Sequence, residues 1–488
     1  MMKSLFKKVI TGAILSASSF SVYSQVSPPA GWGDFKFGLV NDGSAIFNTR
    51  MKNAINQGCK LDYRYAYVHN GPDQTTNSLT YLFGFGNNYV TDSPTRVAAG
   101  VKPALVIYML QEDGAYTTFA KNVNDAAFMK KFFNTVKLTA QKANGSKAVF
   151  VLEPDTWGYV LEAGKDPTTI VAKVNNLGVG YEYLAGIPNT ASGVCQAIVK
   201  TIRTYAPDAY CGVLMSHWGY WAGDANDPGM PKAQDGMVWW TNAAVDIAAQ
   251  KNVDFFNKLF QGSTDRGDFV GVEKYGYSAG AVKKLENSSR FYWGDTENAK
   301  YVRWCAALSK GVNKPLLGWQ ISIGHIGLRN ACKTVGTDCS FEDTFFPYFF
   351  THVQDYLKAG FIGFLAGKGM DDDCDYSNAS EGALVGDAGW FFDKLKLFDA
   401  QRPYLGTITS IEEQKSENSN QLIVYSENNA IVLVNNSAKS QAFAIYDLQG
   451  KLVEKSEVQA NSIHINHHLK SGVYIVVTSD GVRKVFVG

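Results

Sequence analysis

The stretch Lys102–Tyr159 decides the fold. Lys102-Pro103 leads into Ala104–Leu110 (ALVIYML), an unbroken run of apolar and β-branched residues. Ala126–Ala143 (AAFMKKFFNTVKLTAQKA) follows with its apolar residues at helical spacing. Ala148–Leu152 (AVFVL) is a second unbroken run, and it ends on Glu153-Pro154-Asp155-Thr156-Trp157-Gly158-Tyr159. Strand, helix and strand in this order, with both strands apolar on successive residues, predict parallel strands covered on both faces.

The same alternation extends in both directions. Phe37–Val40 and Leu61–Val68 read as strands before this unit; Gly212–Ser216, Phe269–Glu273, Leu316–Ile321 and Phe361–Ala366 read as strands after it. Ala191–Tyr205 and Phe345–Lys358 carry helical patterns between them, the second stopping at Ala359-Gly360. Lys314-Pro315 leads into its strand as Lys102-Pro103 does. Eight strands, each followed by a helix, predict an α/β chain with a (β/α)8 barrel over residues 25–405. That span exceeds the usual ~250 residues of such a barrel, so long loops must follow strands. They fall at His69–Pro94, Pro154–Thr190 and His217–Thr241, and after strands 7 and 8, all at the C-terminal face. A doubly wound sheet would need a phosphate-type turn after its first strand, and Gly38-Leu39-Val40-Asn41-Asp42 does not supply one. Gly84-Phe85-Gly86 reads as a turn.

The termini carry other signals. Lys3, Lys7 and Lys8 precede the mostly apolar and small run Val9–Phe20, and Val22 and Ser24 sit at the −3 and −1 positions before Gln25. Residues 1–24 thus read as a signal peptide, and the run is too short and too Ser-rich for a membrane anchor. No transmembrane segment is expected in the mature chain. The 488 residues carry 46 Lys+Arg against 45 Asp+Glu, a net charge of +1. Such a balance gives no electrostatic footprint for nucleic acid or an anionic membrane. Seven cysteines leave at least one unpaired within the chain. Cys332 and Cys339 close a short loop, Cys374 competes for either, and no C-x-x-C pair suggests a metal. No cofactor and no metal are expected.

All ten Trp lie between Trp32 and Trp390. Residues 406–420 turn to Ser, Glu, Asn, Gln and Lys, a linker composition. Beyond it, short alternating runs at Gln421–Tyr425, Ile431–Asn435, Gln441–Tyr446, Leu452–Lys455, Ser462–Ile465, Val473–Thr478 and Arg483–Val487 predict a small all-β, immunoglobulin-like sandwich over 421–488. Ala444–Val453 (AIYDLQGKLV), Leu469–Val476 (LKSGVYIV) and Arg483–Val487 (RKVFV) resemble type IX secretion sorting domains. That resemblance implies type IX secretion machinery as a partner and delivery to the outside or to the outer-membrane surface of a bacterium. The opening Tyr-Pro-Asn-Pro-like segment is absent. A carbohydrate-binding sandwich is the alternative, but the stretch has no Trp to stack on sugar.

The chemistry-bearing residues collect at predicted strand ends. Glu153 and Asp155 close strand 4, where barrel enzymes keep acids and bases, although a salt-bridged or helix-capping pair would also stand there. The apolar run followed by Glu-Pro-Asp resembles family-6 cellulases, which implies Asp155 as the catalytic acid. Val106–Ala115 (VIYMLQEDGA) resembles a second family-6 segment, V-x-Y-x-x-P-x-R-D-C-A, without its Pro, Arg and Cys and with the carboxylates displaced; Asp113 is the candidate there. Together, EPDTWGY, GWQISIGH and the late Asp cluster are similar to secreted proteins of cellulose-degrading bacteria. Glu273 ends strand 6 beside Lys274. Strand 7 offers Gln320 where retaining barrel glycosidases have their nucleophilic Glu, and an amide cannot act as that nucleophile.

The run Asp371-Asp372-Asp373-Cys374-Asp375 lacks EF-hand spacing and reads as an acidic loop that could orient hydroxyl groups. His217 and His325 end strands 5 and 7 with no nucleophile elbow nearby, which leaves them to hydrogen-bonding or packing. Trp157, Trp218, Tyr275 and Trp319, with other aromatics of these loops, suit the apolar faces of sugars. The expectation is a secreted glycoside hydrolase acting on a β-glucan such as cellulose or a related plant polysaccharide. Its acid is Asp155, with Glu153 able to raise its pKa or exchange roles; its base is Glu273, Asp113 or one of Asp371–Asp373; and it inverts the anomeric centre. A non-catalytic glycan-binding barrel of the cell surface is the alternative.

Overall fold

A computed structural model describes residues 26–40, 55, 58–68, 101–111, 115–221, 236–274, 279–323, 344–367, 390–400, 402–403, 405, 422–427, 430–435, 437–447, 451–466, 469–470, 472–478 and 481–487. The chain divides into two compact units, Tyr23–Gly406 and one that holds Thr407–Gly488.

In the first unit eight strands close a parallel barrel in sequence order. They are β1 (Lys36–Val40), β2 (Tyr63–Val68), β3 (Lys102–Ile107), β4 (Val149–Leu152), β5 (Tyr210–Met215), β6 (Val270–Glu273), β7 (Leu316–Ile321) and β8 (Phe361–Ala366). β8 pairs back onto β1, Phe364 opposite Phe37. Every residue of β4, β6 and β8 is buried, as strands with side chains inside the barrel and helices outside require. The barrel is thus the fold its apolar runs predict.

Two elements of this unit differ most from expectation. β3 starts earlier, with Pro103 opposite Arg64 near the strand's beginning, where a missing N–H is tolerated. It also stops earlier, at Ile107. The amides of Met109 and Leu110 donate to the Glu153 carboxylate at 3.0 and 3.1 Å instead of continuing a ladder. Phe345–Lys358 is two helices, Phe345–Thr351 and Val353–Lys358. The break is at His352, whose ring stacks on Tyr348 at 3.8 Å. Its Nδ1 lies 3.0 Å from the Tyr348 carbonyl, while its backbone N–H turns to Phe349.

The helices cover the barrel with local caps. Asp125 accepts the N–H groups of Ala127 and Phe128 at the head of Ala126–Ala143, and Thr190 accepts that of Gly193 at the head of Ala191–Tyr205. Gly193 cannot be replaced there, because a Cβ would lie 1.8 Å from the Pro188 carbonyl oxygen. Arg402 locks the sequence ends of this unit together. It pairs with Asp62 and Asp399, donates to the carbonyls of Phe35 and Lys60, and lies over the Phe37 ring.

Cys59, Cys195, Cys211 and Cys305 are buried free thiols; Cys332, Cys339 and Cys374 lie outside the described residues. No helix among the described residues is long and apolar enough to cross a membrane.

The second unit is all antiparallel β. One sheet runs β13 (Ser462–Asn466), β10 (Ala430–Asn435), β9 (Leu422–Glu427); the other runs β12 (Leu452–Val458), β11 (Gln441–Asp447), β14 (Gly472–Thr478), β15 (Gly481–Val487). Leu422, Ile431, Leu433, Phe443, Ile445 and Val476 form its core. Asn435 ties the sheets with three bonds from its side-chain amide to the carbonyls of Lys439, Val458 and Gln459.

Candidate active site

The first carboxylate of the β4 turn is an anchor. Glu153 is fully buried and accepts three hydrogen bonds, from the amides of Met109 and Leu110 and from Thr156 Oγ1 at 3.1 Å. It fastens the turn after β4 to the segment after β3.

The second carboxylate is disposed differently. Asp155 stands at the head of the helix Thr156–Glu162, yet its side chain accepts none of that helix's N–H groups. Its hydrogen bond comes from Tyr108 Oη, 3.4 Å from Oδ2. Burial first, and then the charge of Glu273, push the Asp155 carboxyl up to about 8, against a smaller downward pull from the Tyr108 bond. The like charge acting on Asp155 thus comes from Glu273, where the sequence had suggested Glu153.

Glu273 ends β6. Its Oε1 accepts from Ser216 Oγ at 2.5 Å and from Trp218 Nε1 at 2.7 Å. Both donors lie just after β5, so one short segment holds this carboxylate. Tyr67, on β2, lies in the field of both acids: its hydroxyl is pushed up by burial, then by Asp155, Tyr108 and Glu273 in that order.

Backbone strain collects in the same place. Glu153, Asp155 and Gln320 have φ of 48°, 67° and 51°, a region that disfavours side chains and recurs at functional sites. Gln320 interrupts the β7–β8 register between Trp319 and Ile321. A Cβ on Gly367, at the end of β8, would lie 1.6 Å from the Tyr65 hydroxyl. Glycine alone fits beside Tyr65.

The remaining expected residues divide. Trp218 joins the site through Glu273, with its ring 5.0 Å from that of Tyr159. Trp157, Trp319 and His217 offer almost no surface to substrate. Trp157 packs on Phe119, Trp319 on Tyr67, and His217 lies edge-on to Trp240, Trp293, Tyr301 and Trp304. Asp113, Tyr275, His325, Asp371 and Asp372 lie outside the described residues, as does Asp373. The sequence did not single out Tyr67 or Tyr108 as partners of the acids. Their only signal was a tyrosine at or just past the end of each of two adjacent apolar strands.

Fold and site together define a closed eight-stranded parallel barrel whose C-terminal face brings Asp155, its carboxyl pushed up by burial and by Glu273, into the field of Glu273. Solved structures to which the chain is similar include glycoside hydrolases. The endoglucanase Cel6 from Mycobacterium tuberculosis is 15% identical, with a TM-score of 0.32 over 60% of this chain and 74% of that one. A β-glucosidase from Thermotoga maritima, in complex with glucoimidazole, is 11% identical, with a TM-score of 0.38 over 76% and 99%. A broad-specificity endoglucanase from an uncultured bacterium is 12% identical, with a TM-score of 0.40 over 78% and 98%. No curated protein matches the chain. Residues 426–487 match the secretion system C-terminal sorting domain, and this tail indicates secretion or cell-surface attachment.

Proposed function

We propose that the barrel is a secreted glycoside hydrolase that cleaves a β-glucan, cellulose or a related plant polysaccharide, by inversion. The observation that carries this reading is the pair formed by Asp155 and Glu273. Cleaving a glycosidic bond requires a carboxylic acid that keeps its proton near neutral pH and hands it to the leaving oxygen. Burial and the neighbouring charge push the Asp155 carboxyl in that direction. It is also part-exposed, whereas Glu153 is sealed behind three donors.

Glu273 is the general base in this reading. Ser216 and Trp218 both bind Oε1; Glu273 is itself buried, and in this reading its Oε2 takes a proton from a water held against it at the cleft wall. The strand-7 position holds Gln320, which cannot form a glycosyl ester, and this favours inversion. Asp113 and Asp371–Asp373, which follow strands 3 and 8 in the sequence, are the alternative bases of this reading, and Tyr275, Asp371 and Asp372 its substrate contacts.

The N-terminal 24 residues direct export and are removed. Residues 421–488 hand the chain to type IX machinery for release or attachment at the outer membrane. The test is reducing-sugar release from amorphous cellulose beside a pull-down on the same material. Release supports hydrolysis; binding without release supports a glycan-binding barrel instead.

A further inference from the structure

Asp155 carries two oxygens, and the structure gives them different surroundings. Tyr108 Oη donates to Oδ2 at 3.4 Å, and the same hydroxyl oxygen accepts from Gln111 Nε2, also at 3.4 Å. Gln111 is fully buried. A phenol has one proton to donate. With an N–H already pointing at the oxygen from the Gln111 side, that proton turns towards Asp155.

We propose that Gln111 is a positioning residue that acts through Tyr108: it aims the hydroxyl proton at Oδ2 of Asp155, so that the proton transferred to the leaving group sits on Oδ1. This rests on the reading of Asp155 as the acid. An acid whose proton could sit on either oxygen would present it in the productive place only part of the time. The relay Gln111–Tyr108–Asp155 removes that choice. The titratable groups facing Asp155 are Tyr108, from the segment after β3, Glu273 on β6 and Tyr67 on β2. Tyr67 on β2 packs against Tyr108 at 6.5 Å between ring centres.

A donor to a carboxylate favours its ionised form, so loss of the relay raises the pH at which Asp155 titrates. The measurement is carbon-13 NMR of the full chain labelled at aspartate Cγ, with Asp155→Asn identifying the signal. Because both bonds are long, Gln111→Met should move the titration up by about 0.5–1 in pH, and Tyr108→Phe by as much or more. In the Tyr108→Phe background Gln111→Met should add nothing, because its route through Tyr108 is gone. Gln111→Asn, which shortens the amide by one methylene, should act in the same direction and serves if the Met variant does not fold. An unmoved titration in the single variants, or shifts that simply add in the double variant, would overturn the proposal. A wild-type Asp155 that titrates in the ordinary carboxylate range would instead refute its role as acid, and the coupling between Gln111 and Tyr108 would still be readable.

Discussion

Glu153 and Asp155 are two residues apart and chemically alike, and replacing Glu153 by Gln separates their roles. In the folded protein the Glu153 carboxylate takes two backbone N–H groups and one hydroxyl, all within 3.1 Å, with no access to water. A glutamine keeps one acceptor oxygen and turns an NH2 group towards the others. One backbone N–H, of Met109 or Leu110, then loses its partner in a buried place. Thr156 can rotate its hydroxyl away and recover part of its loss. Hydrogen bonds to a charged acceptor contribute about 1.5–3 kcal/mol, and an unsatisfied buried donor costs a similar amount, so Glu153→Gln should destabilise the barrel by about 2–4 kcal/mol. For a unit of this size that corresponds to a fall in Tm of roughly 2.5–5 °C. Tryptophan fluorescence during urea or thermal unfolding reads the barrel alone, because the ten Trp all lie between Trp32 and Trp390. Activity should fall only as far as the turn after β4 loosens. A variant with wild-type stability and abolished turnover would refute the anchor assignment and return Glu153 to the chemistry.

Asp155→Asn should stabilise the fold at alkaline pH. Its raised pKa, about 8, means that the folded state keeps a proton the unfolded chain releases above about pH 4, so stability from this group is lost as pH rises through that window. Urea unfolding at pH 5 and pH 8.5 should show the advantage of the Asn variant growing with pH, by a few kcal/mol at most. Gly158→Ala should dislodge Trp218, since the added Cβ would lie 2.5 Å from its ring; near-ultraviolet circular dichroism should change and turnover should drop with the Trp218–Glu273 bond. Deleting the residues after Gly406 should leave barrel fluorescence and activity intact in vitro while ending surface delivery in a bacterium that has the type IX apparatus, read by fractionation.

The barrel was legible because parallel strands buried on both faces must be apolar at every position, and runs such as Val149–Leu152 and Phe361–Ala366 are. The tail was legible because its strands alternate and its turns carry Asn and Gly. The ends of strands were harder. That β3 stops at Ile107 depends on a carboxylate 46 residues later in the chain taking the next amides, and no local pattern encodes it. The pairing of Asp155 with Glu273 follows from barrel geometry, in which alternate strands such as β4 and β6 send side chains into one layer; strand counting could have found it. Trp157 and Trp319 read as sugar-stacking groups because they stand next to strand ends, and His217 reads as either a hydrogen-bonding or a packing residue. Composition cannot tell an aromatic ring that covers a strand end from one that faces the cleft.

The most direct test of the account is hydrolysis of amorphous cellulose by the wild type and by Asp155→Asn, with the anomeric configuration of the first product followed by proton NMR. The account predicts release of reducing ends by the wild type, an inverted first product, and a loss of turnover by orders of magnitude in the variant with cellulose binding retained. A fully active Asp155→Asn, or a first product of retained configuration, would contradict it.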